Sequence, residues 1–526
     1  MGRAVKVLAG CLLAYAAIAW VFASQGRPNV DEGIFLGAAR LVAEGQLPYR
    51  DFPFSQAPAL PYAYAAAPGW GSSPLLGGRF LAWGLGLGGT AAGLWLALRS
   101  AGPRAVLFAW LVGLGALPNL WLANTARAQS LATPLLLAAA AALTLAPRGV
   151  LGAALAPSLL LWSTALRLTN GLVFACVCVW LAWRLRGEPA RLAKAAGLVA
   201  AQALLAFAPA LLAPRAAWFH LIEAQLGRGD RIGNVDRLPW AAEGLRRLGA
   251  YADLLVEAWL PALAVLLATG LWLRARARGA RVDPAAPLGA PQTASLTLAL
   301  LAAASFAPHL VFANAFPSYL MSAWALAAPA VGIVFAASLP HPRRPVIEGT
   351  LAVALLAAVA WNAAAQWPRY IGRGEASFAA FQRTARGLAA RHGPDCSALT
   401  LETHLAVEAG CRLLPGLEYS HFSYFPQLTP EEAAARGVLD FERLREQVAA
   451  HPPDWIALAP AHPRILTGAR VSRDDVGRLV VPRVAPEDFV DALPVGYAYR
   501  ERLRVASGAR RPGEPGVKDL WLYERR

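Results

Sequence analysis

Asp31-Glu32-Gly33-Ile34-Phe35-Leu36-Gly37-Ala38-Ala39-Arg40, followed by Gly45-Gln46-Leu47-Pro48-Tyr49-Arg50-Asp51-Phe52, decides how this 526-residue chain is read. The stretch comes just after an apolar run, Val5 to Phe22, that is long enough to cross a bilayer. Carboxylates are costly beside a membrane, so a pair of them there is a functional feature by default. Asp31 capping a surface helix that begins near Glu32 is the simpler reading. Capping does not, however, require the rest of the pattern. Ile34, Ala38, Leu41 and Val42 give 31–44 an apolar face and Gly45 supplies a stop, so the segment reads as a helix lying in the membrane interface.

Working outward, the class follows from composition. The chain is 57% hydrophobic and 16% charged, and apolar runs of about 20 residues recur as far as Gln366. It is a polytopic α-helical membrane protein. Eleven spans are expected near 5–23, 76–98, 105–123, 129–146, 150–166, 168–186, 195–213, 254–273, 293–313, 318–338 and 346–366. The first is read as retained, because no small-residue cleavage site precedes Asp31 and many spans follow. Arg167, Thr169, Asn170 and Gly171 mark a break between the fifth and sixth spans. The net charge of +16 collects in short loops at 99–104, 148, 184–194, 274–281 and 343–344. With the break at 167–171 these loops all fall on one side, which the positive-inside rule makes cytoplasmic. The N-terminus is then inside and the C-terminal region outside. No aromatic-basic module accompanies the arginines, so the charge does not indicate a nucleic-acid partner.

Two outer loops are long, 24–75 and 214–251. The second holds His220, Glu223, Gln225, Arg228, Asp230 and Trp240, and reads either as a lid or acceptor-binding segment or as a solvated connector. The transmembrane part is expected over 1–367. From about Pro368 the composition becomes that of a soluble α/β domain, 368–526. Its expected strands lie at 398–401, 455–458, 497–505 and 520–523, with helices at 378–392 and 430–450. Cys396 and Cys411 in this region form a disulfide or remain two free thiols; Cys11, Cys176 and Cys178 read as packing residues in spans.

The run from Asp31 through Asp51-Phe52 to Pro58-Ala59-Leu60-Pro61-Tyr62 resembles the first outer loop of GT-C membrane glycosyltransferases. The resemblance is to the branch with protein O-mannosyltransferases and the lipid A aminoarabinose transferase. The layout of eleven spans with this loop and the C-terminal domain outside is similar across the whole chain; the motif covers about 29–62. The resemblance implies transfer of a sugar, with inversion, from a polyprenyl-phosphate-linked donor to a cell-envelope lipid, glycan or protein acceptor. It implies that Asp31 stands at the catalytic carboxylate. An acceptor hydroxyl is a poor nucleophile until a positioned base takes its proton. Glu32 would orient the acceptor or tune Asp31. Asp51 is a second candidate carboxylate, unless it simply pairs with Arg50.

The leaving lipid phosphate needs cationic partners. Many relatives carry Lys-Pro-Pro before the next span, where this chain has Gln56-Ala57-Pro58. Arg127 stands where many carry an acidic residue. The phosphate candidates are therefore Arg127, Arg167, Arg79 and His309, each of which could instead snorkel or make a structural pair. Tyr319 is a candidate for the lipid or donor pocket, or an interfacial aromatic. No cofactor is specified; a divalent cation held by carboxylates is compatible with the sequence, though no metal ligands stand out. A transporter or flippase with Arg residues lining its path, and a noncatalytic scaffold of the same fold, are the rival readings. Ala- and Arg-rich usage with few Lys points to a GC-rich bacterial genome, hence a bacterial inner membrane with a periplasmic outer side.

Overall fold

The computed structural model describes the chain outside residues 1, 68–71, 145–148, 227–258, 278–289, 311–316, 339–343, 394–395, 427, 468–471, 474–478, 481–483 and 508–516. Arg228, Asp230 and Trp240 of the second long loop therefore lie outside the described residues. The first part of the chain is helical. Its opening helices are α1 (Gly2–Gln25), α2 (Val30–Ala43), α3 (Ala59–Ala65), α4 (Pro74–Ala101), α5 (Pro103–Gly115), α6 (Leu117–Ala123), α7 (Ala128–Thr144) and α8 (Gly149–Leu166).

A helix forms at each of the eleven expected spans, but they do not all have the length of a crossing. Six are long and apolar enough: Gly2–Gln25, Pro74–Ala101, Gly149–Leu166, Pro189–Leu212, Tyr319–Ser338 and Gly349–Tyr370. The chain is an integral membrane protein. The expected span 105–123 is instead broken, with α5 and α6 bent by 85° at a junction where Pro118 sits in the first turn of α6. Shorter apolar helices occupy Ala128–Thr144, Leu168–Arg184 and Ala262–Arg274. Several of the short elements end at polar groups, Gln129 and Ser130 on α7, Arg167 and Asn170 beyond α8, and His309. Irregular backbone and buried polar groups are tolerated at membrane depth only where protein or a water-filled cavity meets them. Close packing brings α4 onto α7: a Cβ on Gly89 would sit 2.5 Å from Pro134 Cα.

All strands among the described residues lie beyond residue 396: β1 (Ser397–Thr400), β2 (Arg412–Leu413), β3 (Trp455–Leu458), β4 (Ser472–Arg473), β5 (Leu479–Val480), β6 (Tyr497–Ala506) and β7 (Val517–Arg525). A five-stranded sheet has the order β2-β1-β3-β7-β6, with β4-β5 as a separate pair. β2, β1 and β3 are parallel, while β7 runs antiparallel to β3 and β6 to β7. Every residue of β3 is buried, as expected of a central strand covered on both faces. The expected strands and helices form here; the two-residue β2 was too short to read from sequence. One continuous apolar core runs from the segment after α1 into this sheet, joining Ile34, Leu36, Phe54 and Leu60 to Phe381, Leu405 and Trp455.

Helix α2 differs from expectation. It is not an interfacial helix with one wet face: residues 32–39 are all buried, held between α3, α4 and the helix Thr403–Glu408. Its N-cap is Asn29, whose Oδ1 accepts the Asp31 N–H at 3.0 Å, so Asp31 lies inside the first turn rather than capping it.

Candidate active site

Neighbouring carboxylates in the first turn of α2 point in different directions, because successive helical residues are about 100° apart. Glu32 turns inward and is completely buried. It accepts Asn29 N–H at 2.8 Å, Ala126 N–H at 3.0 Å, and Arg79 Nε and Nη2 at 2.7 Å each. Arg79 is equally buried; its remaining N–H groups go to the carbonyls of Ala23, Gly26 and Arg27. The guanidinium also lies 4.4 Å from the Phe378 ring centroid. In this structure the lone pairs of Glu32, expected to orient an acceptor or tune Asp31, are committed to the fold, and the donors of Arg79, expected among the phosphate partners, are all taken up by protein groups.

Asp31 turns outward and is about a quarter exposed, and its Oδ2 lies 2.5 Å from Arg127 Nη2. The Arg127 carbonyl accepts the Tyr64 hydroxyl at 2.8 Å, which anchors the residue to α3. The Arg127 Nε–H is buried and has no hydrogen-bond partner in the protein. Arg127 and Arg167 lie within electrostatic reach of each other.

Arg167 begins a second cluster. Buried in the break after α8, it donates to Ser322 Oγ at 3.1 Å and to His309 Nε2 at 2.9 Å. A guanidinium has no acceptor, so Nε2 must accept and the imidazole proton sits on Nδ1. His309 stacks on Tyr319 with centroids 4.2 Å apart. Ser322 also bonds Thr133 at 2.9 Å. Arg167 is thus brought together with His309 and Tyr319, which lie more than 140 residues further along the chain. Thr133 in turn lines an apolar cavity of about 130 Å³, with Leu120, Leu137, Met321 and Trp324 among its walls.

The other candidates have local roles. Asp51 is bound by Arg50 at 2.8 Å and by the Leu47 N–H at 2.8 Å; the Arg50 hydrogen bond holds its carboxyl below the usual range. It closes its own loop. Cys396 and Cys411 form a disulfide. Among the described residues no three His, Cys, Asp or Glu side chains gather as a metal site.

Sequence reasoning missed how the C-terminal region grips α2. A Cβ on Gly33 would overlap the Thr403–His404 backbone, and Thr403 Oγ1 donates to Val30 O at 3.4 Å. His404 stacks on Phe381, and burial lowers it to about 4. Beside it, burial opposes the charge of Glu402, yet Lys518 at 2.7 Å, with His462 and His404, holds that carboxyl well below its usual range. Ser55 of the first loop meets His220 Nδ1 at 3.3 Å. A glycine beside an acidic pair was the available signal for the grip; its partner, far along the chain, was not visible.

The chain superposes on the crystal structure of ArnT from Cupriavidus metallidurans bound to undecaprenyl phosphate with a TM-score of 0.55. Identity is 16%, covering 92% of this chain and 98% of that one. The apo form of the same protein gives 0.51 at 16% identity, over 89% and 95%. The chain therefore shares the fold of that structure. An Archaeoglobus fulgidus oligosaccharyltransferase in the apo form matches at 0.50 with 11% identity, over 91% of this chain and 75% of that one. No family model matches the sequence, and no curated protein matches it. The likeness extends over nearly the whole chain, so it takes in both the helical part and the region that carries the C-terminal sheet.

Proposed function

We infer that this chain is a glycosyltransferase that moves a sugar, with inversion, from a polyprenyl-phosphate-linked donor to a hydroxyl of a lipid, glycan or protein acceptor. The observation that carries this reading is the outward carboxylate of Asp31 paired with Arg127, which lies within electrostatic reach of a second guanidinium, Arg167, with an apolar cavity adjoining the latter through Thr133 and Ser322. One carboxylate against two cations leaves positive charge for an anion, and the cavity offers a wall for its apolar tail. The similar ArnT from Cupriavidus metallidurans binds undecaprenyl phosphate, which supports a polyprenyl phosphate as the carrier.

In this reading Asp31 takes the proton from the acceptor hydroxyl. The freed oxygen bonds to the anomeric carbon, the bond from that carbon to the phosphate oxygen breaks, and its electron pair leaves on the polyprenyl phosphate. Arg127 and Arg167, with His309 held by Arg167, offset the charge that develops on the phosphate. They take over the task of the lysine that is absent before α3. The site faces the outer side of a bacterial inner membrane, with the region from 368 onward periplasmic; the Cys396–Cys411 disulfide supports an oxidising compartment. The two arginines in place of the lysine and the intact acidic turn favour catalysis over a scaffold role.

Transfer assayed in membranes from cells producing each variant tests the base assignment. Asp31→Ala and Asp31→Asn are both expected to lose about 10²- to 10⁴-fold, the range typical of a missing general base. Full activity of Asp31→Asn, which keeps size but not basicity, contradicts it.

A further inference from the structure

Arg127 is engaged and unsaturated at once. Nη2 contacts Asp31 at 2.5 Å, while the buried Nε–H donates to nothing. Leaving a buried charged donor unmet is costly, and the contrast with Arg79, whose N–H groups are all taken up by Glu32 and three carbonyls, is sharp. Arg79 is built into the fold. Arg127 is built with capacity to spare, and its ion pair is partly open to solvent, where such pairs are weak and exchangeable.

We propose that the Asp31–Arg127 ion pair is a latch that a phosphate group opens: Arg127 exchanges the Asp31 carboxylate for the phosphate, and Asp31 is thereby released as a base only when the donor is in place. This rests on the transferase reading above. While paired, the Asp31 Oδ2 lone pairs face a guanidinium and are poorly placed to accept a proton from an acceptor. A phosphate presents more oxygens and greater charge than a carboxylate. It can also meet the idle Nε–H together with an Nη–H in a bidentate arrangement. The Arg127 backbone stays where Tyr64 holds its carbonyl, so the exchange needs only side-chain rotation. Arg167, locked onto Ser322 and His309, stays fixed and adds attraction for the incoming anion. An acceptor alone, carrying no phosphate, leaves the latch shut, which protects against wasteful hydroxyl activation without a donor.

The latch makes an unusual prediction: a variant dead in transfer should hold the lipid phosphate more tightly. Undecaprenyl phosphate and, separately, inorganic phosphate are titrated into the purified full chain in nanodiscs. Wild type, Asp31→Asn, Arg127→Gln and the double variant are compared, each checked for a single size-exclusion peak. Asp31→Asn should tighten undecaprenyl phosphate by about fivefold or more, the lower end of usual site-to-site coupling. In the Arg127→Gln background the same change should give no gain. A similar gain for inorganic phosphate assigns recognition to the phosphate itself, and a gain confined to the lipid form assigns it to the phosphate seated with its chain; both retain the latch. Equal affinities of wild type and Asp31→Asn overturn it. So does a gain that persists in Arg127→Gln, because simple repulsion by Asp31 would then explain it. If the Arg127→Gln protein does not fold, Arg127→Lys serves, with a reduced gain expected from a point charge lacking the paired donors. Because binding alone is read, the coupling can hold even where no sugar transfer is found, so failure of the transferase reading is separable from failure of the latch.

Discussion

Asp31 and Glu32 show how far adjacent, chemically similar residues can diverge. Glu32 is sealed with Arg79 and two backbone N–H groups; breaking such a buried pair from one side typically costs about 3–5 kcal/mol. Arg79→Met should therefore destabilise the purified protein by about that amount in thermal unfolding, whereas Asp31→Asn should shift it by no more than about 1 kcal/mol. Comparable losses in the two would show that the roles assigned to the pair are wrong. The sequence displayed the acidic pair and ranked Arg79 among ligands for phosphate. It could not show which arginine would be swallowed by Glu32, because the partners are 47 residues apart and an Arg near a span end reads alike whether it binds a ligand, snorkels or braces the fold. The Asp51–Arg50 pair, by contrast, was legible because it is local.

At the scale of elements, the grip of the Thr403–Glu408 helix on α2 sets the aim of the turn that carries Asp31. Gly33 is required there because any Cβ would collide with the Thr403–His404 backbone, which cannot swing aside as a side chain would. Gly33→Ala should lower transfer by about 10²-fold, the usual effect of a displacement near 1 Å, with membrane insertion unchanged; wild-type activity would show that the grip does not aim Asp31. Two buried histidines, His404 in this contact and His220 against Ser55, confer a pH dependence. His404 and His220 are each lowered to about 4 by burial, against about 6.5 in an unfolded chain. The unfolded chain gains protons between those values while the folded one does not, so stability is full above about pH 6.5 and is lost as pH falls toward 4. Around His404, burial is the largest influence; Lys518 and Arg79 act with it, and Glu402 and Glu32 oppose it without overcoming it. Unfolding temperature should drop from pH 7 to pH 5, and a His404→Phe, His220→Asn protein should drop less; an equal drop would place the titration elsewhere. Hydropathy located each helix but missed the 85° break after Gly115, because an apolar window carries no information on direction and Pro118 in a first turn is compatible with a continuous or a restarted helix.

Over the whole molecule, the apolar faces left outward on helices such as α1 and Arg344–Tyr370, where Leu13 and Trp361 are more than two-thirds exposed, are what a bilayer would cover. The class of the protein was legible from composition and the alternation of Arg-rich loops. The pairing of Asp31 with Arg127 and the gathering of Arg167, His309 and Tyr319 were not, since they depend on how separate helices pack, which a single sequence records only through the chemistry of each residue. The most direct measurement is a mass-spectrometric profile of polyprenyl-phosphate sugars in cells carrying the wild-type protein or Asp31→Asn at matched expression. If Asp31 is the base of a sugar transfer, one sugar-lipid accumulates in the Asp31→Asn cells while one glycoconjugate disappears. Identical profiles in the two strains, despite loss of function, would contradict it.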